Sequence, residues 1–180
     1  MGIALITSKM IAVFVGPGGM AYIGNFRNFM TSLEGISTLA FSSGVVKYVG
    51  ENEDKEKELT KIITTVLVTF LVFSTVLGFL IFVFSDFLCA KFFGNNLQYE
   101  IVFKVVAIVL PFSVVSVLFV SIINGLGSYS KLIYATIISN IIALVLTVLL
   151  IYEFKLVGAL LSIALNPTIL FTINFFYVPK

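Results

Sequence analysis

Long stretches that are almost free of charged residues follow one another along the chain from residue 62 onward. They cover residues 62–84, 103–123, 132–152 and 156–178. Each stretch is long enough to cross about 30 Å of hydrocarbon at about 1.5 Å per residue. A helix satisfies its own backbone hydrogen bonds in lipid, which an open strand does not. The pattern therefore predicts four membrane-spanning helices.

The first sixty residues give a weaker pattern. Residues 1–15 are apolar but short, and "GPGG" at Gly16–Gly19 predicts a tight turn, because proline presets one dihedral angle and glycine accepts a positive φ. Residues 20–49 are long enough to cross the membrane but too polar to face lipid on every side. We therefore expect a helix with one wet or protein-facing side, and six spans in total with the first one cut short.

Composition supports a membrane protein and argues against several other classes. Of the 180 residues, 59% are hydrophobic and 11% are charged, whereas soluble domains carry about 25% charged residues. Cys89 is the single cysteine and there is no histidine, so we expect no internal disulfide, zinc site or histidine-based catalytic triad. With no phosphate-binding loop motif and a net charge of +2, the sequence predicts no enzyme activity, cofactor, metal site or nucleic-acid partner.

Lysine counts in the predicted loops favour one orientation. One side carries six lysines and the other carries three, and the richer side is expected to be cytoplasmic. The turn at Gly16–Gly19 then faces outward. The six are Lys47, Lys55, Lys57, Lys61, Lys131 and Lys180, and the three are Lys91, Lys104 and Lys155.

Three ionisable residues lie within the first two predicted spans: Lys9, Arg27 and Glu34. An ionised side chain near the bilayer centre costs on the order of 3 kcal/mol, so these groups should face a cavity or the bundle interior. Arg27 and Glu34 are seven residues apart and share one helix face. Two cations against one acid favour an anionic ligand such as pyrophosphate, with Asn25 and Asn28 as hydrogen-bonding neighbours. The alternative is a salt bridge from Arg27 or Lys9 to Glu34 that only ties the helices together.

Three segments carry a family resemblance: "KMIAVFVGPGGMAYIGNFRNFMT", "GVVKYVGE" and "INGLGSY". The order K-x-x-A-V-x-x-G-P-x-G followed by G-N-F-R is specific, and the other two segments are less so. Together they resemble the N-terminal half of the O-antigen translocases and lipid III flippases. These proteins belong to the superfamily of multidrug, oligosaccharidyl-lipid and polysaccharide exporters.

The resemblance implies an all-α integral membrane protein with the MATE-like flippase fold, in which two six-helix lobes surround a central cavity. It implies flipping of an undecaprenyl-pyrophosphate-linked oligosaccharide, an O-antigen or enterobacterial common antigen unit, across the bacterial inner membrane by alternating access. Arg27 in "GNFRN" matches the position of a basic cavity residue that meets the pyrophosphate. Members of the family begin earlier and continue through a second lobe, so we expect residues 1–180 to be a single N-terminal lobe, a fragment or truncated product without the second lobe.

Two other functions fit the same pattern. One is a cation or drug antiporter of the same superfamily, with Glu34 as the coupling acid. The other is a non-transporting membrane scaffold that pairs with polysaccharide polymerase or ligase machinery. Cargo distinguishes the first from a flippase, and failure to restore flipping distinguishes the second.

Overall fold

The computed structural model describes residues 2–94 and 96–177, which form α-helices, a 3₁₀ turn and short connections, with no strand in those ranges. The 3₁₀ turn covers Leu97–Tyr99. The helices are α1 (Gly2–Ser37), α2 (Ser42–Glu51), α3 (Glu56–Val83), α4 (Ser85–Phe93), α5 (Glu100–Gly125) and α6 (Tyr129–Tyr177).

Two of the helices are bent at a single residue. In α1 the backbone leaves helical geometry at Gly16, whose φ of 75° is a conformation that glycine adopts without strain. In α6 it does so at Lys155, with φ 50° and ψ −121°. A Cβ added to Gly158 would clash with the carbonyl oxygen of Leu150, although a straight helix would separate these residues by about 12 Å. The second half of α6 therefore folds back along the first as a helical hairpin.

The predicted spans correspond only partly to these helices. The bend at Lys155 lies between the predicted spans 132–152 and 156–178. Met1, where the first predicted span begins, and Val178, where the last one ends, lie outside the described residues. In place of a turn over Gly16–Gly19, the structure has one non-helical residue, Gly16.

The single helix predicted over residues 20–49 is wrong, because α1 ends at Ser37 and α2 begins at Ser42. Between them Leu39 and Ala40 both have a φ of 51°, in the left-handed region. The Ala40 N–H donates to the Gly35 carbonyl at 2.8 Å, which closes the end of α1. The stretch between the predicted spans 62–84 and 103–123 also contains α4 and the 3₁₀ turn.

Three of the described helical segments are long and apolar enough to cross a membrane: Glu56–Val83, Glu100–Gly125 and Leu132–Phe175. Of these, α5 is the most buried, because it packs against α2, α3, α4 and α6. The core of the bundle therefore surrounds α5.

The outward faces of α3 and α6 are apolar. On α3 the exposed side chains recur about once per helical turn at Val68, Val72 and Val76. On the first half of α6 they recur in the same way. Such regular apolar stripes are suited to lipid contact. The α6 residues are Ile133, Ile137, Ile141, Val145 and Leu149.

Contacts between the helices define two ends of the bundle. At the first, the α4 end, the Tyr22 and Phe93 rings lie 5.4 Å apart and the Phe29 and Phe92 rings 5.1 Å apart. At the opposite end, the α2 end, a Cβ on Gly125 would lie 2.7 Å from the Val49 Cβ, so α2 and the end of α5 are in close contact.

Candidate functional site

One face of α1 is polar and exposed. Between residues 24 and 32 every exposed position is either glycine or polar. Two hydroxyls on this face donate back to the helix itself, Thr31 to the Arg27 carbonyl at 3.0 Å and Ser32 to the Asn28 carbonyl at 2.9 Å. We call this surface the α1 polar face. Its residues are Asn25, Arg27, Asn28, Thr31 and Ser32.

The opposite face of α1 is apolar and buried. Ile23, Phe26, Met30 and Leu33 recur at three- and four-residue intervals, which places them on one side of the helix. Phe26 is fully buried and meets the Phe103 ring at 6.2 Å. This packing fixes the rotation of α1, so the polar face is turned away from the helices of this chain.

The α1 polar face differs in kind from the exposed faces of α3 and α6. Those faces present valine and isoleucine at successive helical turns, whereas α1 presents a guanidinium, amides and hydroxyls. In a bilayer, polar side chains of this kind face the bundle interior or water rather than lipid. The α1 polar face is therefore unsuited to direct lipid contact.

A polar cavity of about 530 Å³ lies beside the end of α1. Eleven of its sixteen lining residues are polar, and Glu34 is the one charged residue among them whose side chain the structure describes. Residues from α2 and the end of α5 contribute to the lining, so the cavity lies toward the α2 end. The polar lining residues are Glu34 from α1, Ser42 and Ser43 from α2, Ser113, Ser116, Ser121 and Asn124 from α5, and Thr136, Ser139, Asn140 and Asn166 from α6.

The cavity also shows how α6 folds. Asn140 and Asn166 both line it, although about 39 Å would separate them in a straight helix. The hairpin at Lys155 brings both halves of α6 to the same space. Pro167 follows Asn166 in the wall, and proline leaves the carbonyl one turn earlier without its usual helical donor.

The hydroxyls on α5 are oriented by its backbone. Ser113 donates to the Val109 carbonyl at 3.2 Å, and Ser121 donates to the Val117 carbonyl at 2.9 Å. With their protons engaged in this way, these oxygens face the cavity only as acceptors. Ser116 is 2% exposed, and its Oγ has no hydrogen-bond partner within the described part of the chain.

The structure brings the predicted site residues only partly together. Arg27, Asn25 and Asn28 lie on the α1 polar face, and Lys9 is exposed on the segment of α1 before the bend. Glu34 is half-buried and lines the cavity, which the other four do not. Arg27, Thr31 and Glu34 are spaced at four and three residues, so the polar face leads along α1 to the cavity.

The alternative predicted from the sequence was a structural salt bridge from Arg27 or Lys9 to Glu34, and the described residues form no such pair. The ion pairs among the described residues join Lys47 to Glu51 at 3.8 Å, Lys55 to Glu58 at 3.9 Å, and Lys104 to Glu100. None of these pairs includes Lys9, Arg27 or Glu34. Arg27 and Glu34 are separated by about 10 Å along the helix axis, which is too far for direct contact.

Sequence reasoning missed the α5 and α6 lining of the cavity. The sequence feature that could have revealed this lining is a row of polar residues at helical spacing on α5, which includes Ser113, Ser116 and Asn124. In so apolar a helix each of these residues stands as an isolated polar position, and only their spacing connects them. Within the described residues there is also no group of three or more His, Cys, Asp or Glu side chains that could hold a metal ion.

Fold and site together define a helical membrane protein with a polar cavity inside its bundle. A family described as polysaccharide biosynthesis proteins matches residues 27–179, which is most of the chain. The chain belongs to this family. The resemblance seen in the sequence to the flippases of lipid-linked oligosaccharides is thereby confirmed.

Two curated relatives carry the name lipid III flippase. The protein from Escherichia coli (strain K12) is 30% identical over 109 residues, which cover 61% of this chain and 26% of the flippase. The protein from Shigella flexneri gives the same values. The match thus spans about a quarter of the length of these relatives. A flippase is a transporter rather than an enzyme, in agreement with the sequence interpretation. No solved structure matches the chain.

Proposed function

We propose that the chain forms a six-span lobe of a flippase that moves an undecaprenyl-pyrophosphate-linked oligosaccharide, such as an O-antigen or enterobacterial common antigen unit, across the bacterial inner membrane. One observation carries the proposal: the exposed positions of α1 between residues 24 and 32 are polar or glycine, whereas α3 and α6 expose regular apolar stripes. A polar surface at membrane depth needs water or a polar ligand beside it. The family and the flippase relatives support a lipid-linked saccharide as that ligand.

Arg27 is the proposed ligand for the pyrophosphate. It is the single arginine in the sequence, and its guanidinium is exposed on the α1 polar face. Arginine binds phosphate oxygens through two parallel hydrogen bonds, which lysine does not reproduce. Asn25 and Asn28 flank it and supply amide donors and acceptors for the first sugar, and Lys9 adds a second positive charge from the segment before the bend.

The path needs a second wall. The α1 polar face points away from the other helices of this chain, so a second lobe would close the path on that side. Six spans follow from counting the bent helices α1 and α6 as two each and adding α3 and α5. Rocking of the two lobes would then expose the path alternately to each side of the membrane.

The test is complementation of a bacterial strain that lacks its own lipid III flippase by this lobe expressed together with a second lobe, with surface polysaccharide as the readout. Arg27→Ala should abolish display, because hydrogen bonds to a charged group contribute about 1.5–3 kcal/mol and their loss weakens binding by roughly 10- to 150-fold. Arg27→Lys keeps the charge and should restore display in part. Lys57→Ala, which removes an exposed cation in the first turn of α3, is the matched control and should behave as wild type.

Two results would contradict the proposal. The first is full display with Arg27→Ala at normal membrane levels, which would remove the pyrophosphate role. The second is failure of the wild-type gene to restore display while the protein co-purifies with polymerase or ligase proteins, which would favour the scaffold function instead.

A further inference from the structure

The short helix α4 turns two phenylalanine rings away from the bundle. Phe84, the residue before its first turn, is 54% exposed, and Phe87 is 62% exposed. Lys91 lies four residues after Phe87 and is exposed on the same side of the helix. We call these three residues the α4 outer edge. The opposite side of α4 is buried and repeats every four residues, at Ser85, Cys89 and Phe93.

Helix α4 is too short to cross a bilayer. Its nine residues extend about 13 Å, whereas a membrane span needs about 20 residues. It follows α3 directly, because Phe84 is both the residue that ends α3 and the residue that precedes α4. The exposed valines of α3 continue toward this junction through Phe79 and Val83. The α4 outer edge therefore extends a surface that is suited to lipid contact.

Exposed aromatic side chains of α6 mark the same end of the bundle. Helix α6 packs against α5 and begins beside the place where α5 ends, so its bend at Lys155 lies toward the α4 end. Tyr152 and Phe154 are both exposed just before this bend. Aromatic side chains of this kind concentrate where hydrocarbon meets headgroups. The α4 end therefore presents aromatic side chains from two separate helices, as expected at a lipid–water boundary.

We propose that α4 is an interfacial helix that rests in the phospholipid headgroup layer. Phe84 and Phe87 lie in the outermost part of the hydrocarbon, and the Lys91 ammonium lies at the level of the lipid phosphates. Interfacial helices turn phenylalanine, tryptophan or leucine toward the hydrocarbon and lysine or arginine toward the headgroups, and they penetrate about 5–10 Å.

The other charged groups near α4 do not compete for the lipid phosphate. Among the described residues the Lys104 ammonium pairs with Glu100, whereas Lys91 takes part in no ion pair. Asp86 is the other charged residue of α4, and it lies about 140° around the helix from Lys91. Lys91 is therefore the cation that this end of the bundle offers to an anionic headgroup.

The buried side of α4 connects the interface to α1. The Phe93 ring lies 5.4 Å from the Tyr22 ring, and the Phe92 ring lies 5.1 Å from the Phe29 ring. A helix held at the headgroup level would in this way set the depth of α1 in the bilayer. That this depth matters for Arg27 rests on the proposed function, whereas the position of α4 does not.

Fluorescence quenching measures the depth of α4. The sequence contains no tryptophan, so one introduced tryptophan reports only its own surroundings. Phe87→Trp protein is reconstituted into lipid bilayers that carry bromine, a contact quencher, at one defined depth of the acyl chains. Quenching should be strongest with bromine near the headgroups and should place the ring about 5–10 Å into the bilayer. Phe84→Trp should report the same depth, which covers the case in which one substitution disturbs α4.

Phe73→Trp is the matched control. Phe73 is exposed on α3 at the midpoint of the apolar stretch 62–84, so its replacement should be quenched most by bromine near the bilayer centre, about 15 Å deep. If iodide in water, but not brominated lipid, quenched Phe87→Trp and Phe84→Trp, α4 would lie in water. If neither quenched them, α4 would lie against protein, such as a second copy of the chain. Either result would overturn the proposal.

A second measurement tests the phosphate contact in mixed bilayers of phosphatidylcholine and phosphatidylglycerol. In Phe87→Trp protein, bromine on the anionic phosphatidylglycerol should quench more than bromine on phosphatidylcholine, because a lysine near an anionic surface gains about 1 kcal/mol, or about fivefold local enrichment. Lys91→Ala should abolish the excess, and Lys57→Ala, at the start of α3, should retain it. Equal quenching by the two lipids would overturn the role of Lys91. No step of these measurements involves transport, so failure of the flippase proposal is distinguishable from failure of this one.

Discussion

Gly78 provides a sharp test of how α3 packs on α5. A Cβ added at this position would lie 2.6 Å from the carbonyl oxygen of Ala107, and ordinary contact begins at 3.4 Å. The obstacle is backbone on a buried helix, so no side chain can rotate away. Gly78→Ala therefore requires the two helices to separate by several tenths of an ångström. Small residues at such crossings are the usual means of close packing between membrane helices.

The magnitude follows from two opposing effects. Replacing a helical glycine with alanine gains about 1 kcal/mol of helix propensity. Overpacking a close contact costs about 1–3 kcal/mol. Because the clash is with backbone, we expect the second effect to win and the free energy of unfolding to fall by up to about 2 kcal/mol.

The assay is reversible unfolding in mixed micelles by titration with a denaturing detergent, followed by circular dichroism. Gly24→Ala is the matched control, because a Cβ at Gly24 would meet nothing within 4 Å. The control should keep the propensity gain and unfold at an equal or higher denaturant fraction. If Gly78→Ala were as stable as Gly24→Ala, the close approach of α3 and α5 at this crossing would be refuted.

Two further predictions concern cysteine labelling and the α1–α2 connection. The wild-type thiol of Cys89 is 1% exposed and lies 3.2 Å from the Asn96 carbonyl oxygen, and burial, followed by the charges of Glu100 and Asp86, raises its pKa. Because fewer thiolates form below that pKa, wild type should react slowly with a polar maleimide at neutral pH. Arg27→Cys should react fast in assembled protein. Equal labelling rates would show that water does not reach the α1 polar face. Ala40→Gly should raise the free energy of unfolding by about 1 kcal/mol, because alanine at a φ of 51° carries strain that glycine lacks; a lower unfolding midpoint in the same titration would contradict this.

The sequence predicts a helical membrane protein, because its long apolar runs and low content of charged residues are not compatible with a water-exposed surface. The predicted spans 62–84 and 103–123 overlap α3 and α5, and their ends differ from the helix ends by at most six residues. The break after Ser37 was not readable, since "STLAF" contains no glycine or proline. There the backbone turns through Leu39 and Ala40 in left-handed conformations, which local propensity disfavours and the surrounding packing imposes.

The candidate site was predictable in character but not in arrangement. The polarity of Arg27, Asn28 and Glu34 indicated a wet side of one helix, and α1 has such a face. The cavity depends on the fold of α6, which brings Asn140 and Asn166 to one space. A single sequence does not reveal which residues of distant segments meet, so the separation of Glu34 from the four other predicted residues emerged only with the helix packing.

The polar face of α1 has a consequence for how the protein enters the membrane. Helix α1 packs against α6, which is synthesised after it. Until α6 arrives, α1 lacks this neighbour, and a lone segment that carries Arg27 on a polar face partitions poorly into lipid. Biogenesis must therefore hold α1 at the insertion machinery while some ninety residues follow, and a lesion that delays α6 would expose the nascent chain to membrane quality-control proteases.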